Sequence, residues 1–66
     1  MPNIVVDGPP LDVDRKRTLT KEITDSASKV YGIPPAAFVV VIKENPPENV
    51  SVGGCLLCDG RADVND

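Results

Sequence analysis

Five consecutive residues, Phe38, Val39, Val40, Val41 and Ile42, are apolar without a break and mostly β-branched. A strand with one wet face alternates apolar and polar side chains, so this run predicts a strand covered on both faces. The rest of the chain offers little to cover it with. Its 66 residues are expected to form a single domain, 1–66, and a chain this short hides too little surface to hold a large core alone.

Two further elements are legible. Pro2 to Asp7 reads Pro-Asn-Ile-Val-Val-Asp, a β-branched strand halted by Gly8-Pro9-Pro10. From about Val13 to Tyr31, the apolar residues Leu19, Ile23, Ala27 and Val30 recur at spacings of four, four and three, which predicts an amphipathic helix. Asp12 or Asp14 supplies its N-cap, and Gly32 followed by Pro34 and Pro35 its stop. Two strands joined by a long helix predict a β-α-β crossover with parallel strands. After the second strand ends at Lys43-Glu44, Asn45 to Asn49 reads as a turn-rich loop and Val50 to Cys58 as a small hairpin around Gly53-Gly54. The tail from Asp59 to Asp66 is polar and expected to fray. The fold class is therefore α+β, a β-α-β unit with a C-terminal β-hairpin. One helix covers one sheet face, and burial at about 25 cal/mol per Å² of apolar surface is lost on a face left wet. Copies of the chain are expected to cover one another as a homo-oligomer, with the hairpin reaching onto a neighbour.

Charge narrows the function. Seven Lys and Arg face ten Asp and Glu, a net charge of −3, whereas phosphate-backbone binders carry the opposite balance. Nucleic acid is not an expected partner. No apolar run approaches the roughly 18 residues of a membrane span, and the N-terminus lacks the layout of a signal peptide, so a cytoplasmic protein with no membrane partner is expected. Histidine is absent. Acid-base chemistry near neutral pH then falls to a carboxylate, a Cys, a Lys or the terminal amine.

Pro2 bears on that last option. Removal of an initiator Met leaves proline with a free secondary amine, whose pKa falls on desolvation or beside cations. An amine neutral at pH 7 meets the requirement for a general base. The competing reading is an ordinary proline that merely precedes a strand.

Pro2 read with the rest of the chain adds more. The pattern Met1-Pro2-x-Ile4-x-Val6-x-Gly8, a helix carrying Lys16 and Leu19, a β-branched second strand ending in Lys43-Glu44, then Gly53-Gly54, resembles the 4-oxalocrotonate tautomerase family over nearly the whole chain. The resemblance implies short β-α-β chains assembled as hexamers, or trimers of dimers. It also implies a cofactor-independent, metal-free isomerase in which Pro2, as base and then acid, moves a proton on a small 2-oxo or 2-hydroxy-enoic acid.

Three departures bear on substrate. The family's best-studied members place an arginine before the helix, another on the second strand and an aromatic residue before the double glycine. Here the turn is Gly8-Pro9-Pro10-Leu11, the strand position falls at Val39 and the aromatic position at Val50. Val39 and Val50 thus carry over as substrate-binding positions with altered chemistry. Without fixed cations a carbonyl oxygen loses electrostatic stabilisation, often the largest catalytic contribution. A slower or differently specific enzyme is expected, acting on something other than a doubly charged dienol such as 2-hydroxymuconate.

Other cations are candidates to meet a substrate carboxylate. At 100° per residue from Leu19, Arg15 lies at about −40° and Lys16 at about +60°, near the apolar stripe, whereas Arg17 points away near 160°. Lys43 shares the parity of Val39 and so emerges on its face of the strand. The plainer reading is a solvated helix start balanced by Asp12 and Asp14, and a strand-end lysine in water. Tyr31 and Phe38 are expected to anchor the helix to the sheet.

Cys55-Leu56-Leu57-Cys58 invites a redox or metal reading, but a structural zinc needs four ligands and this chain has two Cys and no His. A buried hairpin strand with Cys as a small hydrophobe is the expectation. Beside the tautomerase stand three alternatives: a dehalogenase or decarboxylase of the same superfamily with a cationic proline, a non-catalytic oligomeric small-molecule binder of the same fold, and a thiol or metal protein built on the two cysteines.

Overall fold

The structure, a computed structural model, describes residues 1–60. Of the tail expected to fray, residues 61–66 lie outside them. Strand β1 spans Asn3–Gly8, helix α1 Val13–Tyr31 and strand β2 Val39–Glu44, followed by the short strands β3, Ser51–Val52, and β4, Cys55–Leu56. β1 and β2 pair in parallel from Asn3 opposite Val39 to Gly8 opposite Glu44. β3 and β4 form a separate antiparallel hairpin. This is the α+β, β-α-β arrangement with a C-terminal hairpin that the hydrophobic periods predict.

The helix ends follow their capping residues. Asp12, not Asp14, is the N-cap: its carboxylate accepts the Arg15 backbone N–H at 3.2 Å, satisfying an amide with no partner inside the helix. Gly32 closes the other end at φ 74°, with its N–H donating to the Ser28 carbonyl at 2.9 Å, a left-handed cap that costs glycine little.

The covered arc of α1 differs from the predicted stripe. Lys16, Leu19, Thr20, Ile23, Thr24, Ala27 and Ser28 are half-buried, whereas Val30 is 86% exposed. Threonines can face a sheet because their hydroxyls bond back to the preceding turn, as Thr20 does to the Lys16 carbonyl at 2.9 Å. Part of the apolar stripe therefore borders a shallow groove on the helix flank, lined by Leu19, Ile23, Ala27, Val30 and Tyr31 among others. Phe38 is half-buried, but Tyr31 is exposed and meets it edge-on with ring centroids 5.7 Å apart. Tyr31 is thus a cover on Phe38 rather than an anchor in its own right, because it stands in the last helical turn, beyond the sheet-facing arc.

Three short 3₁₀ turns replace what reads as plain loop or strand: Pro35–Ala37, Pro47–Asn49 and Leu57–Asp59. The first two begin on prolines, whose ring presets the helical φ. The third corrects the hairpin's extent. The Leu57 N–H donates to the Val50 carbonyl at 2.9 Å as the last rung, after which the chain coils through Cys58, leaving that thiol exposed rather than in a buried strand.

Side chains alternate across the sheet. Ile4, Val6, Val40 and Ile42 are half-buried on the face under α1; Asn3, Val5, Asp7, Val39, Val41 and Lys43 lie exposed on the other. Val5 is 55% and Val41 44% exposed, and no described residue is fully buried. The continuous apolar run of β2 is thus covered on one side only.

Candidate active site at the two ends of the sheet

Pro2 sits immediately before β1, half-buried, and its carbonyl accepts the Val39 N–H at 3.1 Å. That bond extends the parallel ladder one rung and seats Pro2 beside the start of β2. Met1 is 88% exposed, so its removal uncovers little and exposes the Pro2 nitrogen as an amine. Val39, the carried-over strand position, shares this end of the sheet.

The other candidates gather at the opposite end. Lys43 is four residues beyond Val39 on the same face, about 13 Å away at about 3.3 Å per residue. Lys16 is half-buried, and its ammonium lies 2.9 Å from a Glu44 carboxylate oxygen. The same oxygen accepts the Leu11 backbone N–H at 2.9 Å. Together the Lys16 hydrogen bond and, after it, the Leu11 N–H hold the Glu44 carboxyl below the ordinary glutamate range, because both favour its charged form. Arg15 is exposed and 3.9 Å from Asp12, and Arg17 is 2.7 Å from Asp14. Val50 lies near Asp7, Gly8 and Pro9. Within one chain, the structure therefore brings Val39 to Pro2 and keeps Arg15, Lys16, Lys43 and Val50 at the far end.

Two relationships at that end have no local sequence signal. Glu44 pairs with Lys16 across 28 residues, since 44 − 16 = 28, and Asn45 donates its side-chain amide to Asp7. Both follow from the parallel register, which sets Asp7 opposite Lys43 and Gly8 opposite Glu44. The Asn45 backbone N–H adds a bond to the Gly8 carbonyl at 2.8 Å. These contacts pin the turn from Gly8 to Leu11, where no arginine stands, against the end of β2. Among the described residues, no three Cys, Asp or Glu side chains converge to hold a metal ion, and no helix is long and apolar enough to cross a membrane.

Comparison with known proteins bears on the family and the fold. The family model described as "Tautomerase enzyme" matches residues 2–59, a span that opens on Pro2. No curated protein sequence matches the chain. Among solved structures, DmpI from Archaeoglobus fulgidus is 43% identical, covering 88% of this chain and 100% of its own, with a TM-score of 0.79. TomN, a 4-oxalocrotonate tautomerase homologue in the tomaymycin biosynthetic pathway, is 31% identical over 92% of this chain and 95% of its own, with a TM-score of 0.82. A heterohexameric 4-oxalocrotonate tautomerase from Chloroflexus aurantiacus J-10-fl shares the fold at 22% identity, over 92% of this chain and 100% of its own, with a TM-score of 0.81. With the fold shared and the family pattern running from the second residue through the hairpin, this chain belongs to the tautomerase family.

Proposed function

We propose that the chain is a cofactor-independent keto-enol tautomerase, with Pro2 as its proton carrier once Met1 is removed. The observation that carries this reading is the placement of Pro2: half-buried at the head of a sheet, bonded to β2 through its carbonyl alone, and preceded by one exposed residue. Its carbonyl is fixed and its nitrogen is left outside the ladder. Freed as a secondary amine in a desolvated site, that nitrogen is neutral near pH 7 and takes a proton from an enol hydroxyl or from carbon beside a carbonyl. It returns the proton elsewhere on the conjugated system, so the double bond moves and the amine is regenerated.

The substrate is a small 2-oxo or 2-hydroxy-enoic acid, and its carboxylate needs a cation. Lys43 suits this role better than Lys16 or Arg15. It stands on the open sheet face and makes no ion pair among the described residues, whereas Lys16 is held by Glu44 and Arg15 lies beside Asp12. At about 13 Å from the Pro2 end, Lys43 reaches a Pro2-bound substrate only from another copy of the chain. The uncovered face of Val5, Val39 and Val41 and the apolar flank of α1 support such a homo-oligomer, a hexamer in this reading, with 1–66 acting as one domain. We place it in the cytoplasm.

The test is ketonisation of phenylenolpyruvate by protein whose intact mass shows it to begin at Pro2. Pro2→Ala is expected to lower kcat/KM by roughly 10²–10⁴, the usual contribution of a positioned acid-base group. Activity rising with pH through the amine's pKa identifies a base; activity falling through it identifies the cationic proline of a dehalogenase or decarboxylase. Unchanged ketonisation in Pro2→Ala overturns the assignment.

A further inference from the structure

Asp7 and Lys43 stand opposite each other in the parallel register, both exposed on the open face of the sheet. Neighbouring strands lie about 4.8 Å apart, so an aspartate and a lysine placed this way are within reach of an ion pair. They do not form one. Among the described residues the ion pairs join Arg15 to Asp12, Lys16 to Glu44, Arg17 to Asp14 and Lys21 to Asp25. The Asp7 carboxylate instead accepts the side-chain amide of Asn45.

The position of Asn45 explains the choice. Two residues beyond Lys43, it has the same parity and so emerges on the same face. Its backbone N–H donates to the Gly8 carbonyl at 2.8 Å, which carries the pairing past Glu44 and anchors the amide beside the end of β1. An ionised carboxylate only accepts, so the amide presents an N–H to it. A hydrogen bond from a short side chain to a charged acceptor stabilises more than an exposed ion pair that must also order a long lysine chain. Glu44, the residue next to Lys43, has its carboxylate held by the Lys16 ammonium and the Leu11 N–H. Both acids that flank Lys43 are thus engaged elsewhere.

We propose that Asn45 is a positioning residue: by holding the Asp7 carboxylate it keeps Lys43 without an internal partner, ready for the carboxylate of a substrate. The inference rests on the reading of Lys43 as the cation that meets a substrate bound at Pro2 of another copy. An Asp7–Lys43 pair would compete with the substrate carboxylate for one ammonium. It would weaken binding and leave proton transfer at Pro2 untouched, so its kinetic mark is a raised KM at constant kcat.

The experiment is a double-variant cycle on full-length protein that begins at Pro2, with phenylenolpyruvate as substrate. Asn45→Ala should raise KM roughly three- to fivefold, the size of an opposite-charge cross-strand pair, with kcat unchanged. Asp7→Asn alone should alter KM by less than about twofold, because the charge it removes is exposed and already engaged. Asp7→Asn combined with Asn45→Ala should return KM to the wild-type value, a rescue that loss of a merely structural contact does not give. The Lys43 ¹⁵Nζ resonance, observed through the Cε protons, should move in Asn45→Ala and return in the double variant, which reads the ammonium without any assay. A resonance that stays in place in Asn45→Ala, or a KM that the second substitution fails to restore, overturns the proposal. Lys43→Ala separates the two levels: if it raises KM while Asn45→Ala does not, the role of Asn45 falls and the reading of Lys43 stands. If Lys43→Ala leaves KM unchanged, both fall.

Discussion

The Val39 N–H donates to the carbonyl of Pro2 at 3.1 Å, at the end of the sheet where Asn3 opposite Val39 is the first residue pair. The bond ties the second residue of the chain to β2 through its carbonyl and does not involve its nitrogen. What that nitrogen can do depends on Met1. An amide nitrogen has no basic lone pair, so protein that retains Met1 should have less than about 1% of the ketonisation rate of processed protein, the lower bound for loss of an acid-base group. Separating the two forms by intact mass and assaying each checks this.

The Lys16–Glu44 pair should leave a signature in acid. Glu44 has its carboxyl depressed by Lys16 and the Leu11 N–H, so the stabilisation is fully present above the unfolded-state value, about 4.3 for Glu. It is lost as pH falls through the lower folded value. Glu44→Gln should therefore unfold more readily than wild type from pH 8 down to about 5, and the gap should close in the region below about pH 4. Chemical denaturation across that range measures it. A gap that stays constant down to pH 2 would show that the carboxylate's charge is not what holds the turn.

The fold was legible because its signals are periodic and local. Leu19, Ile23 and Ala27 recur at helical spacing, Asp12 and Gly32 bracket the helix, and the unbroken run of β2 calls for cover on two sides. The site was less so. Nothing near Lys16 in the sequence points to Glu44, and nothing near Asp7 points to Asn45, because both contacts are set by the parallel register over a separation of dozens of residues. The parity of Lys43 with Val39 places both on one face, but parity carries no information about the distance between Lys43 and Pro2. Tyr31 misleads for a related reason: helical phase at the last turn does not say where the sheet beneath it ends.

Gly53 and Gly54 form the two-residue turn of the β3–β4 hairpin at φ 61° and 82°. Open space surrounds the Cβ positions of both, so a substitution there reports backbone conformation rather than crowding. An L-residue in the left-handed region costs roughly 1–2 kcal/mol. Gly54→Ala should destabilise the hairpin by about that amount, while Ser51→Ala, exposed on the adjoining strand, should be near neutral. Amide exchange at Val52 and Leu57 distinguishes local opening of the hairpin from global unfolding.

The open face of the sheet yields the sharpest contrast between a chain alone and a chain in an assembly. Val41 sits at its centre, 44% exposed, between Val39 and Lys43 on β2 and across from Val5 on β1. In an isolated chain, an aspartate there would project into water and cost little. In an assembly the same carboxylate would lie against the apolar surface of another copy, and an unpaired buried charge is costly enough to prevent burial. It would also forfeit roughly 1.5 kcal/mol or more of valine burial for each chain. Val41→Asp should therefore convert the wild-type assembly to smaller species in sedimentation velocity at micromolar concentration, with loss of ketonisation as Lys43 and Pro2 of different copies separate. Thr18→Asp, at an exposed polar position of α1, should leave the sedimentation coefficient unchanged. A wild-type protein that sediments as a monomer would remove the need for cover on this face and, with it, the route by which Lys43 reaches the substrate.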